Sequence, residues 1–103
     1  MQRGEIRWYG FPHPDKRRPV LILTRDPAID VLGELTIAPI GTTIRNISSE
    51  VVLTQAEGMP RECAAQLDHV QTVSKGRIGE RITTLSPRRW QEVRAALLYA
   101  LGF

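Results

Sequence analysis

The chain has 103 residues, enough for one hydrophobic core and one domain spanning 1–103. Hydrophobic residues at 42% and charged residues at 24% exclude an intrinsically disordered chain, and nothing approaches the roughly 18 apolar residues that span a bilayer as a helix. The formal charge of +3 suits a polyanionic partner without requiring one; the single Cys63 excludes an internal disulfide, and the two histidines lack zinc-site spacing. With no apolar leader segment, the expected setting is the reducing cytoplasm, away from any membrane, and so small a domain gains from dimerising.

Residues 3–11 alternate polar and apolar around Ile6 and Trp8, the pattern of a half-buried first strand, and 12–18 reads as a basic loop. The dense run 19–24, Pro-Val-Leu-Ile-Leu-Thr, predicts a central strand buried on both faces and closed by Asp26-Pro27. Residues 34–38 alternate again and end at Pro39-Ile40-Gly41; 50–53 supplies a fourth apolar stretch, and 61–73 a fifth, less regular one.

The C-terminus predicts a helix of about four turns. Ser86 is placed to cap it and Pro87 to open it, with Leu85 stapled against Trp90. Trp90, Val93, Leu97 and Leu101 fall at helical spacing, and Gly102 stands where a left-handed C-cap is wanted. Short strands followed by one amphipathic helix predict a mainly β protein, a small curved sheet or open barrel plugged by that helix.

No phosphate-binding glycine loop, nucleophile elbow or zinc-protease motif is present. In order and spacing, however, Arg3-Gly4-Glu5-Ile6, Arg18-Pro19-Val20-Leu21-Ile22, Ala38-Pro39-Ile40-Gly41-Thr42-Thr43-Ile44-Arg45 and Leu85-Ser86-Pro87 resemble the MazF/PemK toxin family over essentially the whole chain. The resemblance implies an SH3-like β-barrel with a terminal helix, a two-fold homodimer, and metal-independent, sequence-specific cleavage of single-stranded RNA with no cofactor. It also implies neutralisation by a MazE-type antitoxin, a small partner with a disordered segment that folds across the toxin and covers Arg18.

Such cleavage uses the ribose 2′-hydroxyl as nucleophile and leaves a 2′,3′-cyclic phosphate and a 5′-hydroxyl. The family places an arginine at the Arg18 position against the scissile phosphate, where a guanidinium fork matches two phosphate oxygens. Deprotonating an ordinary arginine at pH 7 costs about 7 kcal/mol, so the expected role is charge stabilisation and proton donation rather than base catalysis. Arg17 reads as a phosphate contact or a solvated charge. Asp68, which aligns with an acidic family position near the RNA, and His69, an imidazole, are the candidates for the base. His13 lies in the loop before Arg18 without a secure alignment.

Position 41 departs from the family. Threonine or serine there would donate a hydroxyl to the phosphate, whereas Gly41 offers none, and losing one such donor typically costs about a hundredfold to a thousandfold in rate. An introduced substitution, natural divergence and takeover by Thr42 all remain open as explanations. Thr42 stands nearer the site than Thr43, although both also suit a plain strand surface. Arg45 and the polar 46–49 that follow read as RNA contacts or as a solvated loop. Trp8 and Tyr9 point to opposite faces; Trp8 and Trp90 are assigned to the core, leaving Tyr9 to stack on a base or fill a dimer seam.

Two rivals accompany this reading. A gyrase-poisoning toxin shares the fold but ends in Trp-Gly-Ile, whereas this chain ends Leu101-Gly102-Phe103 and carries Arg18-Pro19. A non-catalytic nucleic-acid-binding module is the alternative that Gly41 and the modest charge favour.

Overall fold

The computed structural model describes residues 1–12 and 16–103. The apolar run at 19–24 lies at its centre. Strand β2 (Arg17–Ile22) pairs antiparallel with β1 (Glu5–Gly10) on one edge and β3 (Glu34–Gly41) on the other. Both faces are covered: Leu21 packs with Ile6, Ala38, Leu67 and Val93, while Val20 and Ile22 pack on the other side with Tyr9, Ile29, Leu35 and Ile37. Alternation along one strand thereby feeds two apolar clusters, as a doubly covered central strand requires.

The remaining strands are β4 (Glu50–Leu53), β5 (Cys63–Gln66), β6 (Gln71–Ser74) and β7 (Ile78–Thr84). Their order is β4-β5-β3-β2-β1-β7, with β6 also on β3. The mainly β architecture with a C-terminal helix is the one expected.

Strand β3 departs from expectation by running through Pro39 instead of stopping before it. Its first half pairs with β6 from Glu34↔Ser74 to Ile37↔Gln71, its middle with β2 as far as Val20↔Pro39, and its last two residues with β5 as Ile40↔Ala65 and Gly41↔Ala64. A proline donates no ladder hydrogen bond. Here it falls where the strand exchanges one set of neighbours for another.

The irregular segment 61–73 resolves into β5, a 3-10 turn at Leu67–His69 and β6. Fully buried Leu67 anchors the turn, and its N–H donates to the Ser49 carbonyl at 2.9 Å. Helix α1 (Asp26–Ile29) and strand β7 have no counterpart in the sequence reading.

The C-terminal helix forms in two parts, a 3-10 turn at Pro87–Arg89 and α2 (Trp90–Leu101). Ser86 makes no side-chain capping bond, and Pro87 opens the turn rather than α2. Val93 and Ala96 are buried, with Trp90 and Leu97 packed against the same cluster as Leu85, whereas Leu101 stays 54% exposed and lies outside the buried stripe. Gly102 adopts φ 78°, and Leu98 O accepts from the N–H groups of Gly102 at 2.9 Å and Phe103 at 3.1 Å, the expected left-handed cap. No helix among the described residues is long and apolar enough to cross a membrane.

Arg89 fastens the start of α2 to the sheet. Its guanidinium donates to Glu92 Oε1 at 2.8 Å, to the Val52 carbonyl at 2.8 Å and to Glu57, and the carboxylates of Glu92 and Glu57 hold its pKa above the ordinary arginine value against the opposing effect of burial. Replacing Arg89 by alanine frees a partly buried carboxylate and carbonyl, each charge-assisted bond contributing about 1.5 to 3 kcal/mol. Thermal unfolding of Arg89→Ala is expected to fall by roughly 8 °C or more; an unchanged melting temperature contradicts the clamp.

Candidate active site

A cleft of about 500 Å³ opens where β2, β3 and β5 converge. Arg17 and Arg18 enter from the start of β2, Gly41, Thr42, Thr43 and Arg45 from the end of β3 and its loop, and Trp8 from β1. Arg61 comes from the segment before β5 and Gln66 from the end of β5. Among the described residues, four guanidiniums and no carboxylate line the cleft, so these residues give it a concentrated positive potential.

The sheet register explains the convergence. The β2–β3 pairing ends at Val20↔Pro39. Carried on two residues, it sets Arg18 opposite Gly41, and Gly41 pairs with Ala64 two residues before Gln66. Arg18 Nε donates to the Ile40 carbonyl at 3.3 Å and Nη2 to Gln66 Oε1 at 3.4 Å, while the guanidinium carbon stands 5.6 Å from the Phe11 ring centroid. Gly41 makes this approach possible. A Cβ there would lie 2.9 Å from Gln66 Nε2 and 3.1 Å from Arg18 Nη2.

Arg17 lies over Trp8, its guanidinium carbon 4.5 Å from the ring centroid. This corrects the assignment of the two neighbouring aromatics. Tyr9 is the core residue, 6% exposed and edge-on to Phe11, and half-buried Trp8 faces the cleft. Trp90 packs on the core beneath Arg3, as expected of it. The loop after β3 is pinned rather than merely solvated, because Glu50 Oε1 accepts from the backbone N–H groups of Arg45 at 2.9 Å and Asn46 at 3.1 Å.

Arg17, Arg18, Gly41, Thr42, Thr43 and Arg45 are thus gathered in one place, and Asp68 and His69 are not. Those two sit on the 3-10 turn beyond β5, with His69 Nε2 4.0 Å from Asp68 Oδ1 and side chains 50% and 34% exposed, outside the cleft lining. The turn rotates them away from the direction that β5 gives Gln66. His13 lies outside the described residues. Among the described lining residues there is no carboxylate or imidazole, and among the described residues no group of three metal-ligating side chains.

Trp8, Arg61 and Gln66 are the cleft residues that sequence reasoning missed. Only Gln66 left a signal: a polar residue closing the buried run Cys63-Ala64-Ala65 is out of place unless its amide is used. A larger groove of about 1050 Å³, between α2 and the β2, β3 and β6 side, is mostly apolar in surface and carries Arg3, Arg25 and Arg94 together with the carboxylate of Glu34.

An antiparallel β protein with four arginines around a narrow cleft belongs to the class that binds phosphate-rich polymers. The sequence model for the PemK-like, MazF-like toxin of type II toxin-antitoxin systems matches residues 2–101, and the chain belongs to that family. It is 37% identical over 103 residues to the probable endoribonuclease MazF2 of Mycobacterium tuberculosis, with 99% of each chain covered. The solved Mycobacterium tuberculosis toxin MazF-mt6 matches with a TM-score of 0.89 at 30% identity, over 96% of this chain and 97% of that one. A MazE-MazF structure from Deinococcus radiodurans shares the fold, with a TM-score of 0.83 at 24% identity, over 100% of this chain and 96% of that one. The gyrase-poisoning alternative finds no support in these relatives.

Cys63 also lines the cleft, but it is 3% exposed, and burial together with Glu57 and Glu62 pushes its thiol pKa up from the ordinary value. Less thiolate forms at any given pH, so an aromatic disulfide reagent at pH 8 is expected to label the native protein at least tenfold more slowly than the unfolded chain. Equal rates contradict the burial.

Proposed function

We propose that this chain is a metal-independent endoribonuclease toxin that cleaves single-stranded RNA in the arginine cleft and thereby inhibits translation. One observation carries the reading: Arg18 is held against Gly41, at the centre of a four-arginine cleft, in a chain of the PemK/MazF family.

The RNA supplies its own nucleophile. The 2′-oxygen forms a bond to phosphorus as it passes its proton to water, the bond from phosphorus to the 5′-oxygen breaks, and the departing oxygen takes a proton from water. The products are a 2′,3′-cyclic phosphate and a 5′-hydroxyl. Charge rises on the phosphoryl oxygens at the midpoint, and fixed donors lower its energy because they need no reorganisation. Arg18 fills that role, tethered at Nε by the Ile40 carbonyl and at Nη2 by Gln66 Oε1 where it lines the cleft. Thr42 adds a hydroxyl at the rim; Arg17, Thr43, Arg45 and Arg61 hold flanking phosphates, and Trp8 offers a ring for a base to stack on.

The protein acts in the cytoplasm as a single toxin domain in a homodimer. Tyr99, Leu101 and Phe103 leave apolar surface exposed on the free chain, and burial against a second copy removes it. A MazE-type antitoxin restrains the toxin, consistent with the family's place in toxin-antitoxin systems. The cation-rich cleft suits an acidic disordered segment of that antitoxin, which competes there with RNA.

Incubation with a long unstructured RNA in EDTA, with the ends mapped by primer extension, tests the activity. The chain is expected to cut at a short recurring sequence and Arg18→Ala to abolish cutting; cutting that persists in Arg18→Ala contradicts the assignment. Binding to a non-cleavable oligonucleotide is expected to weaken with salt at a log–log slope no steeper than about −2.8, from four arginines at about −0.7 each. Arg61→Gln is expected to make the slope shallower by about 0.7, and an unchanged slope removes Arg61 from the RNA path.

A further inference from the structure

We propose that Gln66 is a catalytic residue of this cleft, its side-chain N–H groups donating to the same phosphoryl group that Arg18 holds. The inference rests on the ribonuclease reading and adds the donor that Gly41 lacks.

Three observations carry it. Gln66 is 7% exposed at the end of an otherwise apolar strand segment, and an amide is buried at a cost unless both its ends are used. Arg18 Nη2 stands 3.4 Å from Oε1 of Gln66. A guanidinium only donates, so the amide oxygen must face Arg18 and the amide nitrogen must face away. Among the described residues that nitrogen donates to no protein group, and it points into the space beside Gly41, 2.9 Å from where a Cβ would stand.

Arg18 Nη2 lies 3.1 Å from the same point. Two donors, one charged and one neutral, therefore converge from two strands on the cleft beside Gly41. A phosphoryl group entering it meets both, and the Arg18 to Gln66 bond fixes the direction of each beforehand. A side chain at 41 has to displace the amide, so Gly41 and Gln66 form a matched pair.

The test uses the purified full chain and a fluorescent RNA oligonucleotide bearing the mapped cut site, in EDTA, with kcat and KM measured for four proteins: the parent, Gln66→Met, Gly41→Ser, and the double variant Gly41→Ser with Gln66→Met. Gln66→Met is expected to lower kcat about a hundredfold with little change in KM. The double variant is expected to recover at least tenfold of that loss, because the serine hydroxyl supplies a donor where the amide has been removed. Recovery separates donation to the phosphate from mere positioning of Arg18, which a hydroxyl at 41 does not restore. Melting curves confirm folding, and if Gln66→Met does not melt cooperatively, Gln66→Leu, which likewise carries no donor, takes its place. Near-parent cutting by a folded Gln66 variant, or a double variant no faster than the single, overturns the proposal. An inactive parent with an active double variant also overturns it and leaves the ribonuclease reading standing. Absence of cutting by all four overturns both.

Discussion

Strand β3 must satisfy neighbours along both edges while passing from one part of the sheet to another, and a proline sits where it changes them. Pro39 ends the pairing with β2, and the next two residues take up β5. The backbone beyond Pro39 is therefore flanked by the start of β2 on one side and the end of β5 on the other. Arg18 and Gln66, 48 residues apart in the chain, meet there because the strands bearing them have that one neighbour in common. The Ile40 carbonyl, at the exchange point, accepts a hydrogen bond from Arg18 and sets the angle at which its guanidinium enters the cleft.

Scaffold and site place opposite demands on the same few residues. The clusters on the two faces of β2 close around large aliphatic side chains, and α2 completes one of them with Val93 and Ala96. At the cleft the same sheet and its loops instead collect four cations, with no carboxylate among the described lining residues, and like charges so placed repel one another. Arg17 over Trp8 and Arg18 near Phe11 rest on aromatic faces, which suits weakly hydrated guanidinium groups better than lysine ammoniums. Two of the four cations stand on strand β2, and of the two on loops Arg45 has its backbone pinned by Glu50.

Much of the fold was legible from periodicity, because the signals were local. The Val20 to Leu23 run could only be a strand covered on both faces, and the spacing of Trp90, Val93 and Leu97 with Gly102 behind them could only be a capped helix. Strand β7 escaped because Ile78-Gly-Glu-Arg-Ile-Thr-Thr buries little and is held mainly by its ladder with β1. Alternation told that Trp8 and Tyr9 oppose each other but not which faces inward; that depends on β2, which sets Pro19 against Trp8. Arg18, Gly41, Thr42, Thr43 and Arg45 were legible only through the family motif. Gln66 and Arg61 were hidden because their meaning lies in a non-local approach, and Asp68 and His69 stand apart from the cleft lining because a 3-10 turn follows β5 there.

The account turns on a phosphate entering the cleft beside Gly41. The most direct measurement is a ¹⁵N NMR titration with a short RNA whose 2′-hydroxyl at the cut site is methylated, so that it binds without reacting. The Arg18 Nε–H and Gln66 side-chain amide signals are expected to shift together, saturating at the same RNA concentration as the loop around Arg45. Shifts confined to the apolar groove beneath α2, with Arg18 and Gln66 unmoved at saturation, would place the RNA elsewhere and contradict it.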